Sequence, residues 1–116
     1  MNTGDIVIVS FPFTNLVSYK ARPAVVIAET PDEYKDTLVS LITSVVPPRL
    51  NSLQIRLPYD KTNNLKVNSV IKVYRIATIK NNKIIAVIGK LNEEQLKEFK
   101  DKFKSLVAIK ECNKYE

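Results

Sequence analysis

The stretch Lys20-Ala21-Arg22-Pro23-Ala24-Val25-Val26-Ile27 sets a permanent cation at the mouth of an apolar run. Ala24 to Ala28 offers nothing polar, so it reads as a strand buried in a sheet. Pro23 fixes its own φ and pushes Arg22 into extended backbone, which mounts the guanidinium on stiff chain. Such a mount suits a group that must meet a phosphate. The alternative is a surface arginine that opens a strand and pairs with an acid.

Working outward from Arg22, the segment Gly4 to Phe11 is short and β-branched, a strand able to be buried on both faces. The segment from Phe13 to Lys20 has no clear periodicity and reads as a loop into the Arg22 strand. Its aromatics, Phe13 and Tyr19, suit either base stacking or capping of the core. Past Ala28, a polar stretch broken by Pro31 marks a turn, and Leu38 to Thr43 reads as the third strand. Pro47-Pro48 forces extended backbone, and Gln54 to Leu57 alternates as a half-exposed strand does. Pro58 to Lys66 is a second polar turn region. Ser69 to Val73, a shorter Ile76 to Ile79, and Lys83 to Ile88 complete the strands, with Asn81-Asn82 as turn chemistry.

The tail changes period. Asn92 predicts a helix N-cap, Gln95 closes a capping box, and Leu91 with Leu96 have the spacing of a hydrophobic staple. Leu96, Phe99, Phe103 and Leu106 then share one helical face. Six or seven short strands and one C-terminal helix predict a mainly β fold, a strongly bent antiparallel sheet or small barrel. The chain holds only two glycines, Gly4 and Gly89, too few for a phosphate-cradling glycine-rich loop.

At 116 residues the chain fits one domain, 1–116, able to bury roughly two-thirds of the surface its unfolded form exposes. There is no histidine and only one cysteine, Cys112. Imidazole acid–base chemistry, the serine–histidine and cysteine–histidine pairs, an internal disulfide and a Cys/His metal site are thereby excluded. No cofactor is expected. No run of about 18 apolar residues is present, so the expectation is a cytoplasmic protein that keeps clear of the membrane. The net charge is +6, and residues 1–91 carry all of it, twelve Lys/Arg against six Asp/Glu, while residues 92–116 hold six of each. A basic body suits a polyanionic partner, and it also serves solubility.

Gly4-Asp5-Ile6-Val7 with Phe11-Pro12-Phe13-Thr14, Arg22 to Ile27, Ile42-Thr43-Ser44, Ser69-Val70-Ile71 with Ile76 to Ile79, and Ile88-Gly89-Lys90-Leu91 together resemble the MazF/PemK toxin family. The resemblance implies an SH3-like barrel that dimerises, a toxin of a type II toxin-antitoxin pair, and metal-independent cleavage of single-stranded RNA. It further implies a cognate antitoxin with an acidic segment as partner. Carried onto this sequence, the active-site arginine falls on Arg22 and the active-site threonine on Thr43, with Ser44 beside it. Lys20, Arg22, Lys72, Arg75 and Lys90 are candidates for contact with the RNA backbone, and Tyr19 for stacking on a base. Four backbone contacts would give a log–log salt slope of about −2.8.

Three positions depart from the family pattern. The loop from Phe13 to Lys20 holds no acid, Val45 stands where many members have glutamine, and Tyr74 stands where many have aspartate. The general base is therefore not named by the resemblance. For Thr43 the alternative is a strand-end hydroxyl making a local backbone bond. Two further functions fit the same fold class, a non-catalytic gyrase poison of the CcdB kind and a barrel module that binds nucleic acid. Against the first, the chain has no tryptophan and ends Asn-Lys-Tyr-Glu instead of Trp-Gly-Ile.

Overall fold

The computed structural model describes residues 1–12 and 19–108, the side chains of residues 11, 12 and 19 excepted. The expectations placed on Phe13 to Ser18, on the Tyr19 ring and on Cys112 lie outside the described residues. Among the described residues, six strands form one antiparallel sheet: β1 Asp5–Pro12, β2 Tyr19–Glu29, β3 Thr37–Thr43, β4 Gln54–Leu57, β5 Ser69–Ile79 and β6 Ile84–Lys90. A helix, α1 Glu93–Val107, follows. This is the mainly β fold with a C-terminal helix that the sequence predicts.

Strand order is β4-β5-β3-β2-β1-β6, and the connection from β5 to β6 obliges that sheet to curl. Only residues 80–83 separate the two strands, and 81–83 form a 3-10 turn. Fully stretched, the link would span about 17 Å. Four flat strand spacings would hold β5 and β6 about 19 Å apart. The sheet bends to make up the difference, and its central strands are buried on both faces. Ile6, Val25, Ile42, Ile71 and Phe99 belong to one cluster, completed by Leu96 and Phe103 from α1. Val7, Val9, Ala24, Val26 and Val39 belong to a second, which Ala77, Ile79 and Ile84 close at the β5–β6 link.

The helix starts as its sequence dictates. Asn92 Oδ1 accepts from Gln95 N at 2.8 Å, and Gln95 Oε1 accepts from Asn92 N at 3.1 Å, a complete capping box. Leu91 and Leu96 both join the first cluster, as a staple requires. Gly4, at φ +93°, lets β1 begin under the helix, where a Cβ would stand 2.7 Å from Leu96 Cδ1.

Two boundaries differ from the sequence expectation, each for a physical reason. β2 begins at Tyr19 instead of Ala24, because β1 pairs with it as far as Pro12↔Tyr19. β5 is one strand where two were expected. The polar residues Tyr74 and Arg75 sit in a bulge, since Ser40 pairs with Ile76 while Ile42 pairs with Ile71. Ser40 Oγ donates to the Val73 carbonyl at 3.0 Å there, which satisfies a group the ladder has released.

β4 and β6 are the two ends of the sheet order, so the barrel stays open along that seam. Residues 58–68 bridge it. Lys90 N donates to the Thr62 carbonyl at 3.1 Å, and Asn64 Nδ2 donates to the Ile88 carbonyl. Gly89 makes the approach feasible, because a Cβ there would stand 2.7 Å from the Asn63 carbonyl carbon. The bridge also braces itself. Buried Asn63 accepts from Asp60 N and Leu65 N at 3.0 and 2.9 Å and donates to the Pro58 carbonyl at 2.8 Å. No helix among the described residues is long and apolar enough to cross a membrane.

Candidate nucleic-acid cleft

The cleft opens where two ladders of β2 part. β2 is paired on both sides at Ala24 and Val25, with β1 and with β3, and from Val26 to Glu29 with β3 alone. Towards its start, pairing with β1 continues through Ile8↔Pro23 and Val9↔Arg22, but pairing with β3 ends at Ala24↔Leu41. Pro23 has no N–H to extend a ladder. β3 meanwhile runs on to Thr43, paired with Val70 of β5. Continued by two residues, the register would set Arg22 opposite Thr43. They stand instead on either side of the parting.

A cleft of about 570 Å³ fills this gap, within the size range of ligand sites. Ile8, Pro23, Ile42, Leu65 and Ile88 give it an apolar floor. Lys20, Arg22 and Lys66 line it, together with the polar side chains Ser44, Asn64 and Ser69. No acidic residue lines it among the described residues, so its potential is positive and suited to an anion. Four consecutive residues of β2, Lys20 to Pro23, take part, so the strand runs along the rim instead of offering one face.

The residues singled out from the sequence divide in two. Lys20, Arg22 and Ser44 meet in the cleft. Thr43 does not line it, and its Oγ1 accepts from Val45 N at 3.1 Å, a local turn bond that fixes how the chain leaves β3. Its hydroxyl hydrogen remains available to donate. Lys72 is half-buried on β5 opposite Gln54. Arg75 is exposed, with its guanidinium 6.0 Å from the Tyr74 ring centre. Lys90 is exposed opposite Asp5 at the far end of β6. None of these three lines the cleft.

Lys66 and Asn64 line the cleft although the sequence offered them only as parts of a polar turn. One faint signal was present. Gly89 is one of two glycines in the chain, and a glycine inside a strand marks close approach of another backbone. Among the described residues, no three carboxylate, thiol or imidazole groups gather as a metal site.

No curated protein sequence matches the chain. Solved structures do share the fold. An endoribonuclease in complex with its cognate antitoxin, from a mycobacterial species, superposes with a TM-score of 0.71 at 9% identity, covering 97% of this chain and 99% of that one. Mycobacterium tuberculosis toxin MazF-mt6 superposes with a TM-score of 0.62 at 19% identity, covering 90% of this chain and 99% of that one. The family model for the PemK-like, MazF-like toxin of type II toxin-antitoxin systems matches residues 2–107, so the bent open sheet, its C-terminal helix and the basic cleft are those of a chain that belongs to this family.

Proposed function

We propose that the protein is the toxin of a type II pair and cuts single-stranded RNA without metal, in the cleft between the start of β2 and the end of β3. One observation carries this proposal. Lys20, Arg22, Lys66 and Ser44 converge on an apolar floor with no acid among the described lining residues.

The chemistry needs little more than charge and position. The 2′-hydroxyl of one nucleotide loses its proton and attacks the adjacent phosphorus in line. The bond from phosphorus to the 5′-oxygen breaks, and that oxygen gains a proton. The products are a 2′,3′-cyclic phosphate and a 5′-hydroxyl. Negative charge gathers on the phosphoryl oxygens in between. The planar fork of Arg22 holds two of those oxygens and stays charged at any working pH. Ser44 donates a further hydrogen bond, and the Thr43 hydroxyl stands beside it at the strand end. A preorganised donor of this kind is worth roughly 3–4 kcal/mol, or about 10² to 10³ in rate. The chain has no histidine, so orientation and electrostatics carry the catalysis.

Lys20, Arg22 and Lys66 make three backbone contacts from the cleft, which gives a log–log salt slope of about −2.1 for RNA affinity. Lys72, Arg75 and Lys90 extend the basic surface beyond it, and Tyr19 stacks on a base. A homodimer is the working form, supported by Ile85 and Val87, 61% and 53% exposed on the edge strand β6. Light scattering at the mass of a single chain would remove that element. A cognate antitoxin folds an acidic segment over the cleft, supported by the neighbour solved with its own antitoxin. Cytoplasmic action follows from an RNA substrate.

The test is to incubate purified protein with a long single-stranded RNA in EDTA and to analyse the fragment ends. Cyclic phosphates and 5′-hydroxyls are expected. Intact RNA, or fragments with 3′-hydroxyl and 5′-phosphate ends, would overturn the proposal.

A further inference from the structure

On the footing of the RNA cleavage just proposed, we infer that the loop of residues 58–68 is the specificity wall of the cleft. Asn64 reads the edge of one unpaired base seated on the apolar floor, and Lys66 takes the phosphate beside it.

Three features carry the inference. The loop is fixed in place, because Asn63 satisfies both its arms from inside and Thr62 and Asn64 tie it to β6. A fixed wall discriminates between ligands, whereas a loose one adapts to all of them. Second, Asn64 lines the cleft with its amide already oriented. Nδ2 gives one N–H to the Ile88 carbonyl, and Ile88 itself belongs to the floor. An amide has one acceptor oxygen and a second N–H besides, the adjacent acceptor–donor pair that recognises a base edge. Third, Lys66 follows two residues later and lines the cleft from this loop, whereas Lys20 and Arg22 line it from β2. A strand laid through the cleft therefore meets cations from both the loop and β2. The floor is aliphatic, so it accepts the face of any base, and selection falls to Asn64.

The backbone at Asn64 makes the test clean. Its φ is +56°, which glycine adopts freely and asparagine and aspartate tolerate. Asn64→Gly removes the amide and its bond to Ile88 without straining the backbone, and Asn64→Asp keeps the size of the side chain while replacing the donor by an oxygen that cannot bond the Ile88 carbonyl. Wild type, both variants and Lys66→Ala are each given a long single-stranded RNA of mixed sequence, and the cut sites are read from the 5′ ends of the fragments. Thermal melting is followed in parallel.

Asn64→Gly lowers base preference by about 10-fold at one position of the cut site and leaves the other positions alone. Asn64→Asp changes which base is preferred at that position. Lys66→Ala raises KM and reduces the salt slope by about 0.7 with the preference unchanged. If wild type cuts and both Asn64 variants keep its preference, or slow every site equally, Asn64 only braces the loop and the inference falls while the cleavage function stands. An unchanged KM and salt slope in Lys66→Ala removes the phosphate contact. A wild-type protein that cuts no RNA removes the cleavage function first, and this inference with it.

Discussion

The two halves of β2 are built for opposite purposes. From Ala24 to Glu29 the strand is paired with β3, at Ala24 and Val25 with β1 as well, and Ala24, Val25 and Val26 are fully buried in the two apolar clusters. From Tyr19 to Pro23 it keeps only β1, and Lys20 and Arg22 face a cleft. One proline separates the halves. The contrast teaches where a small fold finds room for charge chemistry. Arg22 stays stiff because β1 still holds it, and stays reachable because β3 has left it. Burial in the other half supplies the stability that a cluster of like charges does not.

The sharpest way to break this contrast is to damage the closed half. Phe99 is the largest fully buried side chain among the described residues, packed in the cluster that contains Val25. Phe99→Ala is expected to cost about 3–5 kcal/mol through lost burial and a residual cavity. Denaturant unfolding measures it. Cleavage per folded molecule should not change, and a drop beyond tenfold under conditions where the variant is fully folded would mean that the halves are not separable.

The converse substitution is next in size. Arg22→Ala should lower the cleavage rate about 10² to 10³-fold, a loss of roughly 3–4 kcal/mol of transition-state stabilisation. Its unfolding free energy should fall by no more than about 1 kcal/mol, since half-buried Arg22 belongs to neither apolar cluster. Arg22→Lys keeps the charge and loses the two-pronged geometry, so it should fall between the two. Single-turnover kinetics on one defined RNA, with a melt of each variant, would decide. Full activity in Arg22→Ala would leave the fold intact and remove the proposed catalytic clamp.

How much of this was readable beforehand follows the range over which the signals act. The Asn92 capping box, the α1 apolar face and the buried run after Pro23 are local, and the structure has them where the residues put them. Arg22 on a stiff mount was legible for the same reason, since proline restricts its predecessor wherever it stands. The bulge in β5 was half legible. Tyr74 and Arg75 interrupt the apolar period, but only pairing with β3 keeps the strand continuous through them. The far wall of the cleft was barely legible, since Gly89 signals only that some backbone comes close to its strand. Asn64 and Lys66 line the same cleft as Arg22 because the loop returns across the open seam to β6, a juxtaposition set by the curl of the whole sheet. No window of sequence around Lys66 contains that curl.

Gly89 lies on that seam, so its replacement should move both properties a little. Its backbone does not need glycine for its own sake, and the constraint is the approach of Thr62 and Asn63. Gly89→Ala forces that backbone outward at about 1–3 kcal/mol, offset by up to about 1 kcal/mol from a stiffer unfolded chain. A net loss of roughly 1–2 kcal/mol should appear in denaturant unfolding. The displaced loop carries Asn64 and Lys66 with it, so KM should rise several-fold while kcat, set by Arg22 on the other wall, changes little. A fall in kcat with KM unchanged would show that the two walls act as one unit, and the division drawn along β2 would have to give way to a division along the seam.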